Sequence, residues 1–366
     1  MGGPDPRSSG VSRRPVGAAS RGAVPMDAVT GTGSRVSDQP GGTGRGDSSG
    51  PRVVVGVDGS AGSRAAMAEA LVDAVRRGAA LDVLAASPVT LMWAGGAPLD
   101  IPDTEAIRAD TGRRAEELVD QVRREKSVAA IPGVGDVDIR VIAAEGRPVR
   151  VLLDAAKGAD LLVVGSRGRG DVRSALLGSV ALHCVTHAPC PVVVVHPGAT
   201  TSQPPRVVVG VDGSAGSRAA VVAAIDEAAR SGAELEVVVA YVPADHWTDM
   251  TSVIVPTVEQ IRADVRHRAE EMIEGVLAGR ADVGAVPAVR VHLFEGAAGE
   301  ALVERARGAQ LLVVGSHGRG AVRGLLLGSV ALHCAMHAPG RVMVVHPQRH
   351  PSAVAQPQPE SAMAER

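Results

Sequence analysis

The chain has 366 residues, 45% of them apolar and 1% aromatic, with a formal net charge of −2. That is apolar material for two ordinary domain cores, without the basic footprint or stacking rings that nucleic-acid binders use. Three cysteines with no CxxC spacing exclude a disulfide framework and a zinc site, and no apolar run reaches the roughly 18 to 20 residues of a membrane span.

Residues 1–50 are rich in Gly, Ser, Pro, Arg and Asp with almost no periodic apolar pattern, so they read as a disordered tail, with Met26 as an alternative start. The pair Arg13-Arg14 is not followed by the apolar stretch of an export signal, and the expected location is the cytoplasm. From residue 51 onward, short Val/Leu-rich runs alternate with helical patterns. Strands are expected at 52–58, 81–87, 137–143, 160–166 and 191–196, with helices near 62–77, 104–126, 147–157 and 179–187. This first domain covers 51–197, and a linker follows at 198–204. A second domain, 205–348, has strands expected near 206–212, 235–241, 289–293, 310–316 and 341–346, and a second disordered tail spans 349–366.

The two domains are copies. "RVVVGVDGSAGSRAA" stands at 52–66 and again at 206–220, "LLVVGS" starts at 161 and 311, and "GSVALHC" starts at 178 and 328. Near-continuous apolar strands joined by helices indicate parallel sheets covered on both faces. The expected fold is therefore α/β: two tandem doubly wound, Rossmann-like domains, each with a five-stranded parallel sheet.

Ligands of such sheets bind beyond the carboxyl ends of the strands, where strand order reverses. Asp58, Gly59 and Ser60 end the first strand, and the glycine turn from Gly165 follows the fourth; Asp212, Gly213, Ser214 and Gly315 repeat this in the second copy. Gly165 and Gly168, like Gly315 and Gly318, let backbone approach a ligand closely. Gly178 and Ser179, like Gly328 and Ser329, mark a helix start, with the serines read as N-caps. The N–H groups of the residues that follow, Val180 and Val330 first, then make an anion site. Asp58 and Asp212 suit a ribose hydroxyl, or Mg²⁺ or Mn²⁺ carried by phosphates. A ribonucleotide phosphate is the natural ligand. No GxxxxGK[ST] is present, and "GRGDVR" at 168–173 lacks the context of a dinucleotide fingerprint.

These motifs resemble those of a tandem universal stress protein with two UspA-type domains. The signature of that family's ATP-binding branch is Gly-x2-Gly-x9-Gly followed by Ser or Thr. It is met by Gly165, Gly168, Gly178 and Ser179, and by Gly315, Gly318, Gly328 and Ser329. The resemblance implies ATP binding with slow or no turnover and a regulatory or sensor role under stress such as hypoxia, starvation or dormancy, with Asp58 and Asp212 contacting the nucleotide. It also implies pairing through the fifth strands, here Val192–Val195 and Val342–Val345, between the two copies or in a homodimer, and a regulatory protein partner. The alternative is a slow ATPase or a nucleotidyl or phosphoryl transferase on the same fold, although no candidate base stands beside the glycines in both copies.

The copies differ in places that bear on this. Asp171 in the first turn corresponds to Ala321 in the second, so ATP is expected to bind more tightly at the second site. Gly340 and Arg341 replace Cys190 and Pro191 ahead of the fifth strand, which sets the two strands apart. Arg169, Arg173, Arg319 and Arg323 are candidate phosphate donors. His183 and His187, one helical turn apart, are read as packing residues. Trp93 and Trp247 occupy equivalent places after the second strand, where they could cover an adenine or simply pack.

Overall fold

The computed structural model describes residues 50–87, 103–168, 177–198, 202, 204–242, 257–279, 287–320 and 327–347, with the backbone of 93–94 and 97–98. The expected tails, Gly50 excepted, lie outside these residues, as do Asp171 and Trp247; of Trp93 the backbone alone is described. The first repeat runs β1 (Arg52–Val57), α1 (Ala61–Arg77), β2 (Ala80–Ser87), a two-residue ribbon of β3 (Trp93–Ala94) and β4 (Ala97–Pro98), then α2 (Thr104–Arg123) and α3 (Lys126–Ala129). It continues through β5 (Ile139–Glu145), α4 (Pro148–Ala155), β6 (Leu161–Gly165), α5 (Ser179–His187) and β7 (Val192–Val195). The second comprises β8 (Arg206–Gly210), α6 (Ala215–Ser231), β9 (Glu234–Tyr241), α7 (Val258–Ala278), β10 (Val289–Glu295), α8 (Ala298–Arg305), β11 (Leu311–Gly315), α9 (Ser329–His337) and β12 (Arg341–Val345). Among the described residues no helix is long and apolar enough to cross a membrane.

Local chemistry sets these boundaries. Ser60 caps α1 by accepting the Ser63 N–H, and the helix stops at Gly78, whose φ of 58° is the left-handed conformation glycine adopts without Cβ strain. Ser214 and Gly232 do the same for α6. The strand expected at 137–143 begins two residues later, at Ile139, with Val137 and Asp138 leading out of a 3₁₀ turn over Val134–Asp136. β1 ends at Val57 rather than at Asp58, whose carboxylate turns back to accept the Ser60 N–H at 2.9 Å.

The strand order is β10-β9-β8-β11-β12-β7-β6-β1-β2-β5. Each repeat contributes five parallel strands, and β7 meets β12 antiparallel with Val192 opposite Val344 and Val195 opposite Arg341. The two expected five-stranded sheets are thus halves of one ten-stranded sheet. Alternating side chains feed two cores: Val53, Val55 and Leu161 face α1 and α2, while Val54, Leu162 and Val164 face α4 and α5. Both cores continue through the second repeat without a break. The fifth strands differ by one residue, because Pro191 has no N–H to pair and Arg341, its counterpart, does.

The seam carries a buried ionic cluster. Arg341 reaches from the second repeat to Asp73 (2.5 Å) and Glu69 (3.2 Å) on α1, and Arg77 of α1 pairs in return with Glu227 of α6. On the other face, His196 follows β7 and sets its Nε2 3.0 Å from the Ala335 carbonyl of α9.

The three thiols are buried. Burial pushes Cys184 and Cys334 up to about 12 and Cys190 up to about 11. A thiol reagent at mildly alkaline pH is expected to label none of them in the folded protein and all three after denaturation; rapid labelling before unfolding would contradict this burial.

Candidate functional site

β1 neighbours β6, and β8 neighbours β11; at each pair the strand order reverses. A crevice belongs beyond the carboxyl ends of such strands. Each repeat has one there, with a volume of 510 Å³ in the first and 450 Å³ in the second, ample for a nucleotide-sized ligand.

One wall is backbone. Gly165 and Gly168 approach from the turn after β6, and Gly178, Ser179 and Val180 from the start of α5; Gly315, Gly318, Gly328, Ser329 and Val330 do so in the second cavity. The two parts are tied by the Gly178 N–H, which donates to the Ser166 carbonyl at 2.8 Å, and by its twin from Gly328 to Ser316 at 2.7 Å. The helix starts differ from expectation. Gly178 and Gly328 are the N-caps, and Ser179 and Ser329 are the first helical residues, with no side-chain cap in either helix. A serine at the first helical position cannot fold back onto the donors two and three residues on as a cap does. The N–H groups and the positive end of the helix dipole are therefore left facing the cavity, which favours an anion.

The carboxylates stand beside the glycine turn. Asp58 and Asp212 line their cavities, but Gly59, Ser60, Gly213 and Ser214 do not appear on the cavity walls. Gly59 and Gly213 take φ of 80° and 84° to turn the chain, and the serines cap α1 and α6. Gly59 and Ser60 instead border a smaller hollow with Arg64 and Arg114. Asp212 accepts N–H groups from Ser214 (2.9 Å) and Arg319 (2.8 Å). Burial pushes its carboxyl up, but these bonds and those from the Ser214 and Ser217 side chains outweigh it and hold the group below the usual carboxylate range. It is thus an ionised acceptor at neutral pH. Arg319, one of the four candidate arginines, lines the second cavity with its guanidinium against Gly213; Arg169, Arg173 and Arg323 lie outside the described residues.

The remaining wall is apolar and was not singled out in the sequence: Leu84, Ala86 and Leu152 in the first cavity, Val238, Ala240 and Leu302 in the second. Ser63 and Ser217 also line them. His183 and His187 are exposed and stack at 6.0 Å rather than pack beneath the helix, and among the described residues no cluster of His, Cys, Asp or Glu is arranged to hold a metal.

Comparison with known proteins adds family and fold. A sequence profile described as Universal stress protein family matches residues 51–196 and 205–346. Universal stress protein Rv2005c of Mycobacterium tuberculosis is 35% identical over 298 residues, which cover 80% of this chain and 95% of that protein. Among solved structures, a universal stress protein from Archaeoglobus fulgidus superposes with a TM-score of 0.57 at 22% identity, over 81% of this chain and 98% of that one. A universal stress protein solved in complex with cAMP is 33% identical and covers 39% of this chain and 98% of its own, with a TM-score of 0.30.

Proposed function

The chain belongs to the universal stress protein family, and on that premise we propose that it is a cytoplasmic ATP-binding protein with a regulatory or sensor role in stress adaptation. One observation carries this reading. In each repeat a backbone cradle of glycine turn and uncapped helix start, with a carboxylate beside the turn, lines one cavity at the switch point. The cradle suits phosphates, the carboxylate suits a ribose hydroxyl, and the apolar wall of Leu84 and Leu152, or Val238 and Leu302, suits a base. Among the described residues each cavity offers a single carboxylate. Mg²⁺ or Mn²⁺ would therefore arrive on the phosphates, with Asp58 or Asp212 as one ligand. A protein partner would read the state of the occupied sites.

Mass spectrometry of nucleotide carried through purification, followed by a single-turnover hydrolysis assay, tests the reading. Bound ATP that survives for hours is the expected result. Rapid ADP formation would make the protein an enzyme, and absence of nucleotide, with no binding of added ATP or cAMP, would leave a scaffold. Asp58→Ala and Asp212→Ala are each expected to weaken ATP at their own cavity by about ten- to a hundredfold, the worth of one hydrogen bond to a charged group. Calorimetry that shows neither site weakened would remove the carboxylates from the site.

A further inference from the structure

The two ends of helix α9 face different repeats. Its start, at the N-cap Gly328, leaves its N–H groups to the second cavity. Its last turn has a carbonyl that the helix cannot satisfy. The Ala335 oxygen would take the N–H four residues on, but that residue is Pro339, which has no N–H. Ala335 is fully buried, and a carbonyl left there without a donor is costly. The donor comes from the first repeat: His196 sets its Nε2 3.0 Å from the Ala335 oxygen. A carbonyl only accepts, so Nε2 carries the proton.

His196 is itself well anchored. It follows Val195, which lies opposite Arg341 in the antiparallel seam, and its own N–H donates to the Gly340 carbonyl at 3.4 Å. The Val195 carbonyl takes the N–H of Ser166 at 2.9 Å, and Ser166 belongs to the glycine turn of the first cavity. Helix α9 is nine residues without Gly or Pro, a straight rod of about 13 Å at 1.5 Å per residue. A shift of its last turn is therefore passed to its start. The face it buries is Ala331, Cys334 and Ala335, small side chains that interlock little, so polar ties matter more: Gly328 to the Ser316 carbonyl at one end and His196 at the other. In the mirror position Val185 of α5 stands four residues before Pro189, and His346 lies beside the Val185 and Thr186 carbonyls. Among the described residues, however, neither ring nitrogen of His346 makes a hydrogen bond of proper geometry.

We propose that His196 is a positioning residue for the second cavity: a side chain of the first repeat holds the far end of the helix whose start receives phosphates there. This rests on the reading of that cavity as a phosphate site. The second site is then complete only when the two repeats are paired, because part of its support comes from across the seam. His196 lines neither cavity, so its effect on a ligand runs through α9 alone. The first cavity depends on the backbone of Val195, which a change of the His196 side chain leaves in place.

The test is calorimetry of ATP, and separately of inorganic tripolyphosphate, on the full chain, with Asp58→Ala added to read the second site and Asp212→Ala to read the first. His196→Phe keeps a ring without the donor, and His196→Asn keeps an amide one methylene too short to reach. Each is expected to weaken the second site about three- to fivefold, within the worth of one hydrogen bond, and to leave the first unchanged. His196→Gln, whose amide nitrogen reaches where Nε2 does, should keep the affinity of the parent. Amide hydrogen exchange of the same chains without ligand should be faster across Leu332–His337 in the Phe and Asn variants and unaltered in the Gln variant. The proposal needs both changes. Weaker affinity without faster exchange, faster exchange without weaker affinity, neither change, or equal weakening of both sites overturns it. A wild-type chain that binds neither ligand would instead sink the phosphate reading, and exchange by itself would then show whether His196 holds α9.

Discussion

Arg341→Ala is expected to destabilise the chain by about 3–5 kcal/mol, the usual effect of removing one partner of a buried ion pair. The side chains of Arg341 and Asp73 are 7% and 1% exposed, and they join strand β12 of one repeat to helix α1 of the other. Burial works against the guanidinium charge, but Asp73 first and then Glu69 outweigh it, and the Arg341 pKa rises above its ordinary value. Without that cation Asp73 is left buried with no ion-pair contact among the described residues, only the charge of Arg76 acting on it, while Arg77 is already engaged by Glu227. The cluster has little slack: Asp73 Oδ1, Arg77 Nε and Arg341 Nε have no hydrogen-bond partner as it stands. Urea unfolding followed by far-ultraviolet circular dichroism measures the loss, and a change below about 1 kcal/mol would show that the repeats do not depend on the pair. The double replacement Arg341→Met with Asp73→Leu is expected to recover most of the loss, because it removes both charges together.

That cluster also shows where reading from sequence stops. The Val-rich strands, the tandem copies and the glycine turns were legible because periodicity and repetition are local properties of the chain. The merging of two sheets into one is not local, and it entered the sequence reading only through family resemblance. Asp73 looks like part of a solvated face of α1, since nothing in the helical pattern reveals that the second repeat covers it. Arg341 carried a faint signal as a cation where the first copy has Pro191.

At the site, the glycines and the aspartates picked out in the sequence line one crevice in each repeat, but spacing alone does not tell that Asp58 lines the cavity while Gly59 and Ser60 turn the chain and cap α1. Ser60 looked like a ligand group because serine is equally suited to capping a helix, which is what it does here. Ser179 looked like a cap, yet the chain enters α5 one residue earlier, at Gly178. Leu84 and Leu152 gave no sign at all. A residue on an apolar cavity wall has the same composition and periodicity as one in the core behind it.

The glycines of the turn are expected to separate by substitution into one that holds the fold and one that shapes the cavity. A Cβ on Gly165 would sit 2.6 Å from the Gly62 carbonyl carbon and 2.7 Å from its oxygen, both backbone at the start of α1. No side chain can move aside, so Gly165→Ala must push α1 away from β6, an overpacking cost of about 1–3 kcal/mol. Gly315→Ala meets the same obstacle in Gly216, 2.5 Å away. A Cβ on Gly168 would instead meet the tip of the Asp58 side chain, Oδ2 at 2.6 Å. That carboxylate can rotate away, so Gly168→Ala should change the melting temperature little while it turns the acceptor out of the cavity and weakens ligand there about tenfold. Thermal melts paired with nucleotide titration distinguish the two. If Gly168→Ala lowered stability as much as Gly165→Ala, or left affinity untouched, Asp58 would not be the group that Gly168 keeps in place, because among the described residues the sole close neighbour of the added methyl is that carboxylate.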